Sequence, residues 1–200
     1  MTTLCPALKR HAAEFLAALR SHKYERTALG VFFPAAKVEA RGLYVHDVNG
    51  ADVRMDPNLL TDQGLTHMLA TEFGSGSKIS AWYIALYAGN ISPAANWTAA
   101  NFAGTASEIT STVEGFTETT RQAFTAGAAA ANQIDNTAAK AAFTIASASQ
   151  LNINGAALLS DNVRGSTSGV LASATKFNST RVLSAGDVFN CGYRVSLTST

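Results

Sequence analysis

One short segment of this chain has the residue spacing of a known nucleophilic site. Ser75 and Lys78 satisfy the S-x-x-K spacing, which in serine acylating enzymes places a lysine one helical turn from the nucleophile. Here both residues lie in a Gly- and Ser-rich stretch that precedes an extended segment, and the partner motifs are missing. The stretch also lacks the spacing and the following helix of a phosphate-binding loop. We therefore expect neither acyl transfer nor phosphate binding there.

The sequence also offers no convincing set of metal ligands and no pair of catalytic carboxyl groups. His11 and Glu14 lie three residues apart on a predicted helix, but two ligands do not hold zinc, and the other histidines lie in unrelated segments. Glycoside hydrolysis needs two carboxyl groups at a fixed separation, and the sequence pairs none. We predict no catalytic residue, no metal ligand and no cofactor. The acidic residues interpreted as turn or surface residues are Asp56, Asp62, Glu108, Glu114, Glu118, Asp135, Asp161 and Asp187.

Aromatic residues offer the remaining possibility of a binding site. Trp97 and Phe102 lie in a polar stretch, residues 90–111, that is longer than most connections and is either a functional loop or a clasp. Basic residues do not alternate with the aromatic ones, which argues against nucleic acid. A stacking platform for sugars stays an alternative, although aromatic residues in strands usually belong to the core. The rings of this platform would be those of Trp82, Tyr83, Tyr87, Trp97, Phe102, Phe116 and Phe124.

The element that is clearest in the sequence is the last strand. Phe189, Cys191, Tyr193, Val195 and Leu197 alternate with polar or small residues, and a period of two places all five on one face of a strand. We expect this face to lie in the core, with Asp187 closing the turn before the strand.

Further strands recur along the second half of the chain, separated by Gly-, Asn- and Ser-rich turns. Residues 79–87 carry apolar side chains on both faces, which indicates a central strand covered on both sides. A short helix is predicted at residues 62–72. The pattern as a whole predicts a mainly β protein, an antiparallel β-sandwich or jelly roll. Its other strands are expected at residues 121–125, 142–146, 156–160, 170–176 and 188–198.

The N-terminal part has a different pattern. Apolar residues at three- and four-residue intervals predict an amphipathic helix that ends near Ser21, with a stripe buried against the protein's own sheet or a neighbouring subunit. An extended arm with a turn at Asn49-Gly50 follows. We predict two parts, residues 1–55 as helix and arm and residues 56–200 as the sandwich domain. The residues expected to contact a partner are Leu4, Leu8, Phe15, Leu19, Phe32, Phe33, Trp97 and Phe102.

Composition limits the classes of partner. Charged residues make up 14% of the 200 residues, below the ~25% of an average soluble domain, which hints at a surface packed against neighbours. A net charge of +1 gives the chain no electrostatic reason to bind nucleic acid or an anionic membrane, and no apolar run is long enough to cross a bilayer. Cys5 and Cys191 lie at opposite ends without metal-ligand spacing, so we expect free thiols and cytosolic synthesis.

Several segments of the chain resemble one group of proteins. Residues 56–69, DPNLLTDQGLTHML, followed by WYIALY at residues 82–87, are similar to segments of small virion proteins of tailed bacteriophages. The likeness covers about residues 56–200 and includes residues 114–124, residues 169–174 and the Gly186-Asp187 turn with its strand.

The resemblance implies a structural, non-enzymatic protein. It implies a capsid cement or decoration protein that is made in the bacterial cytoplasm, forms homo-oligomers and binds the outer surface of the major capsid protein shell. Residues 1–55 have no counterpart in the resemblance, but an arm that is ordered on assembly would add buried area. Two alternatives stay open: a tail, baseplate or fibre-associated structural protein, in which residues 96–102 contact a receptor or glycan, and a carbohydrate-binding module.

Overall fold

The computed structural model of the chain describes residues 6–20, 24–26, 28–34 and 38–199, which form three helices and twelve strands. The helices are α1 (Pro6–Arg20), α2 (Asp62–Phe73) and α3 (Ala99–Ala106). The strands are β1 (Tyr24–Arg26), β2 (Phe32–Pro34), β3 (Val38–Val48), β4 (Ala51–Pro57), β5 (Leu59–Leu60), β6 (Tyr83–Tyr87), β7 (Gln122–Ala123), β8 (Gln133–Asp135), β9 (Ala141–Thr144), β10 (Leu151–Leu159), β11 (Leu171–Leu183) and β12 (Val188–Ser199).

The chain divides into two units at a different place from the predicted one. One unit consists of Met1–Glu39 with Thr198–Thr200, and the other of Ala40–Leu197. The predicted boundary after residue 55 is too late because β3 and β4 pair with each other and β3 lies next to β12 in a sheet of the larger unit. Residues 40–55 therefore belong to the sandwich.

The smaller unit contains the predicted amphipathic helix and a short hairpin. Strands β1 and β2 pair antiparallel, with Glu25 opposite Phe33. The ring of Phe15 on α1 lies 5.7 Å from that of Tyr24 and 5.3 Å from that of Phe32, in the second case edge to face. Such aromatic pairs stabilise a small cluster beyond their buried area.

The first sheet of the larger unit has the strand order β4-β3-β12-β8, and β9 also pairs with β12. The predicted turn at Asn49-Gly50 joins β3 to β4, with positive φ angles of 53° and 76°. Two successive positive φ angles define the turn that suits the twist of a β-hairpin, and Asn-Gly is its preferred sequence. Asp47 accepts a hydrogen bond from the Gly50 amide at 2.9 Å and further stabilises the turn.

The second sheet has the strand order β5-β11-β10-β6-β7, with antiparallel pairing throughout. Strand β6 is covered on both faces, as predicted. Ile84 and Leu86 point to the first sheet, whereas Ala85 and Tyr87 point to the opposite side. The protein is therefore mainly β and has two antiparallel sheets packed as a β-sandwich.

The main core lies between the two sheets. Phe189, Cys191 and Tyr193 on β12 are buried there, as the alternation in the sequence predicts. Val195 is only partly buried, and Leu197 is exposed because the burial of β12 ends before its last residues. The prediction that Leu197 lies in the core is therefore wrong.

A second core covers the outer face of the second sheet. It contains Tyr87 and Leu159 from the strands and Trp97 and Phe102 from residues 90–111, which were expected to form a polar loop. That stretch contains α3, whose start is stabilised by Asn101 Oδ1 accepting from the Thr98 amide at 2.9 Å. The helix forms because its apolar residues cover a sheet face that would otherwise contact water.

Helix α2 packs on the same sheet at a glycine. The Oγ1 atom of Thr61 caps the helix by accepting from the Gly64 amide at 3.0 Å and also donates to the Leu171 carbonyl. A Cβ atom at Gly64 would lie 2.4 Å from the Ala172 carbonyl oxygen, so only glycine allows the helix to approach this closely. The predicted helix at residues 62–72 is confirmed.

A buried ion pair connects the loops at one end of the sandwich. Arg121 donates from Nε and Nη2 to the two carboxylate oxygens of Glu108, at 2.7 and 2.8 Å, and neither side chain is exposed. Arg121 Nη1 also donates to the Asp161 carbonyl at 2.9 Å, and the Gly165 amide donates to Glu108 at 3.0 Å. The interpretation of Glu108 as a turn or surface residue is wrong, because its carboxylate is fully buried and paired with Arg121.

We expect Arg121→Met to lower the free energy of unfolding by about 3–5 kcal/mol, because it leaves the Glu108 carboxylate buried without its cation. Urea denaturation followed by circular dichroism measures this change. The matched control is Arg54→Met, which removes the cation of an exposed pair with Asp52 and should change stability little. Equal stability of Arg121→Met and the parent chain would contradict this account of the pair.

Candidate functional site

The two residues with the spacing of a nucleophilic site do not form such a site. Ser75 and Lys78 lie in an exposed segment between α2 and β6 that is neither helix nor strand. A lysine one turn from a serine needs a helix at that point, so the geometry of an acylating site is not formed.

The pair on α1 is a surface pair. His11 Nδ1 lies 3.4 Å from Glu14 Oε2, and both side chains are mostly exposed. Among the described residues, no group of three or more His, Cys, Asp or Glu side chains lies close enough together to hold a metal ion.

Several of the predicted turn and surface carboxylates accept hydrogen bonds from other segments of the chain or within a turn. Asp187 accepts from the Ser184 amide at 2.9 Å and from Asn49 at 2.9 Å, so it closes the turn before β12 as predicted. Glu118 accepts from the Thr144 amide at 3.1 Å, and Glu114 from Ser147 Oγ at 3.1 Å. These contacts hold loops to strands.

Asp56 is different, since it is buried beside a histidine that the sequence did not single out. The Nε2 atom of His46 lies 2.8 Å from Asp56 Oδ2, and its Nδ1 atom lies 3.0 Å from Nε of Arg181. Arginine only donates hydrogen bonds, so Nδ1 is the acceptor and the proton of a neutral ring is on Nε2, from which it is donated to Asp56. The His46 ring also stacks on Phe177, with 3.9 Å between the ring centroids.

Four residues, His46, Asp52, Asp56 and Arg181, form what we call the His46 clamp. Arg181 donates through Nη2 to the Asp52 carbonyl at 2.7 Å and through Nη1 to the Asp52 carboxylate. Asp56 Oδ1 accepts from the Asn178 amide at 2.8 Å. Since His46, Asp52 and Asp56 come from the β3–β4 hairpin while Arg181 and Asn178 come from β11, the clamp joins the two sheets.

An acid–base pair such as His46 and Asp56 is found in many hydrolases, but the environment here is structural. A general base must reach a proton of the substrate, whereas the His46 ring is fully buried and both of its nitrogens are hydrogen-bonded within the protein. Burial lowers the pKa of His46; the hydrogen bond to Asp56 opposes this shift and the positive charge of Arg181 adds to it. The ring therefore stays neutral in the folded protein.

Two of the residues predicted to contact a partner are core residues. Trp97 is 4% exposed and Phe102 is 0% exposed, and both pack on Tyr87. The prediction is corrected because Phe102 on α3 and Trp97 just before this helix both face the second sheet. Their burial takes two rings out of the stacking platform considered for sugars, and it takes the same two rings out of the receptor contact considered at residues 96–102.

The other predicted contact residues belong to the smaller unit. Phe15 is 41% exposed although it packs on two other rings, Phe32 is also exposed, and Leu19 is half-buried. Leu8 lies on α1 and Phe33 in β2, and Leu4 lies outside the described residues. The described side chains thus form an apolar surface that the unit only partly covers.

A further exposed apolar surface lies on α2, and it was not predicted from the sequence. Its residues Leu65, Met68, Leu69 and Phe73 are exposed, Leu69 by 61% and Phe73 by 87%. Positions 65, 69 and 73 are four residues apart and lie on one side of a helix. The spacing is visible in the sequence, but which side of the helix faces the sheet is not. We call these four residues the α2 face.

Comparisons with protein families, with curated proteins and with solved structures found no match. None of the described helices is long and apolar enough to span a membrane.

The His46 clamp predicts a pH-dependent stability. The ring is neutral in the folded protein because its pKa is lowered, whereas the unfolded chain takes up this proton near the ordinary pKa of 6.5. The unfolded state then binds more protons, so the free energy of unfolding falls as the pH drops below about 6.5, by at most about 1.4 kcal/mol per pH unit.

Urea denaturation at several pH values between 8 and 5 measures this slope. His46→Gln should remove most of it, whereas His67→Gln, on α2, is the matched control and should keep it. If His46→Gln does not fold, titration of His46 in the parent chain by NMR gives the same information. Stability that does not change between pH 8 and 5 would contradict the assignment.

Proposed function

We propose that this chain is a structural virion protein of a tailed bacteriophage, a capsid cement or decoration protein that binds the outer surface of the major capsid protein shell as a homo-oligomer. The observation that carries the proposal is the presence of two exposed apolar surfaces, one in each unit of the chain. A protein that ties other proteins together needs more than one binding surface, and exposed apolar patches mark such surfaces.

The small number and the burial of the charged residues support the same function. Charged residues are few, and several of them are buried in hydrogen-bonded pairs, as in the Arg121–Glu108 pair and the His46 clamp. The surface is left comparatively neutral, which suits a protein that is covered by neighbours better than one that stays free in solution. The buried Arg121–Glu108 pair and the His46 clamp hold loops and sheets together, and this is the role expected in a scaffold.

The likeness of residues 56–200 to small virion proteins makes the proposal specific, because exposed apolar surfaces alone fit many binding proteins. A sandwich with a separate N-terminal unit also fits the role physically. The sandwich provides a folded body with its own core, and the N-terminal helix provides further area for contact with a partner.

The copy number in purified virions tests the location. A cement protein should be present at a copy number of the same order as that of the major capsid protein, measured by quantitative gel densitometry. A copy number as low as that of a tail or baseplate component would overturn the capsid assignment and favour the tail alternative.

Deletion of residues 1–22 tests the role of α1. We expect the sandwich to stay folded, because the unit Ala40–Leu197 has its own core, and we expect binding to capsid shells to weaken. Circular dichroism and thermal unfolding check the fold, and co-sedimentation with purified shells checks binding. A truncated chain that fails to fold would show that α1 belongs to the core of the protein.

A further inference from the structure

The α2 face lies on a well-anchored helix. The opposite side of α2 is fixed to the second sheet through Gly64 and the Thr61 cap, so this helix cannot turn its apolar residues inward without losing those contacts. Three of the four residues lie at the i, i+4 and i+8 positions that anchor helices to one another. The surface is thus suited to receive another helix.

Charge limits which helix can pack there. Helix α2 contains Asp62 and Glu72 and has no Lys or Arg. His67 is half-buried and packs edge to face on Trp82, so it is not part of the outer face. Two α2 helices packed against each other would bring carboxylates together, and like charges across an interface are unfavourable. A basic amphipathic helix is the better complement.

The chain itself contains such a helix. Residues 1–39 contain six Lys or Arg residues against three Glu, and α1 has Lys9, Arg10 and Arg20 against a single acidic residue, Glu14. Leu16 on α1 is 52% exposed, next to the partly exposed ring of Phe15. Both helices therefore have exposed apolar residues, and their charges are opposite: α1 is basic and α2 is acidic.

We propose that α1 of one copy binds the α2 face of a second copy. The contact joins two different surfaces, and every copy of the chain carries both. Two copies can bind each other through two such contacts in a two-fold dimer, or several copies can bind head to tail in a ring. The inference deepens the homo-oligomer part of the proposed function, but it needs only this chain, and its test contains no capsid.

The test starts with the full-length purified chain in sedimentation velocity over a range of concentrations. The parent chain should self-associate. Leu16→Glu on α1 and Leu69→Lys on α2 should each weaken association about tenfold or more, because each places a charge within an apolar contact, opposite a helix whose charge has the same sign. Val113→Glu is the matched control, since Val113 is an apolar residue of the sandwich that is 68% exposed and lies outside both helices.

Mixing the two defective variants is the decisive step. The Leu16→Glu chain keeps an intact α2 face and the Leu69→Lys chain keeps an intact α1, so the mixture should form a heterodimer although each variant alone associates weakly. Contacts between identical surfaces would leave the association of the mixture no stronger than that of the variants alone. Circular dichroism checks that each variant is folded.

Three results would overturn the inference: a parent chain that is monomeric at all concentrations, association that Leu69→Lys leaves unchanged, or a mixture that associates no more strongly than the two variants alone. A monomeric parent that still binds capsid shells would overturn this contact and leave the proposed function standing. A chain that self-associates as described but does not bind shells would overturn the proposed function and leave this contact standing.

Discussion

The second sheet has two apolar faces, and both must be kept from water. Ile84 and Leu86 meet the first sheet, while Ala85 and Tyr87 need a cover on the other side. A sheet of this kind is stable only between two layers, which explains why residues 90–111 form a helix and buried aromatic contacts instead of a free loop. The position of α2 depends on the same constraint, since it packs on the same sheet, and its outer side is the one left exposed.

The sequence predicts the parts of this fold that local periodicity controls. Alternation places Phe189, Cys191 and Tyr193 in the core, and Asn49-Gly50 indicates its hairpin. The ends of β10 and β11 extend beyond the predicted strands, and β8 was not predicted. These elements are held by pairing with distant strands, and a local pattern does not contain that information.

The contacts that the sequence could not predict are those between residues of separate segments. His46 meets Arg181, and Glu108 meets Arg121, through folding alone, so nothing near each residue marks it as buried. Trp97 and Phe102 were misplaced for a related reason, because an aromatic residue in a polar stretch looks exposed until the sheet that it covers is known. The exposure of the α2 face was not predicted either. A periodic apolar stripe on a helix usually faces a core, but here it faces outward.

Gly64 has a consequence for association. At Gly64 the backbone of α2 lies so close to the backbone of Ala172 that no Cβ atom fits between them. The helix is therefore held at a fixed distance and orientation on the sheet. The residues of the α2 face are thus presented by a rigid support, and only their side chains lose freedom when a partner arrives. Binding to such a preorganised surface has a small entropic penalty, so a modest apolar area is enough for a measurable affinity.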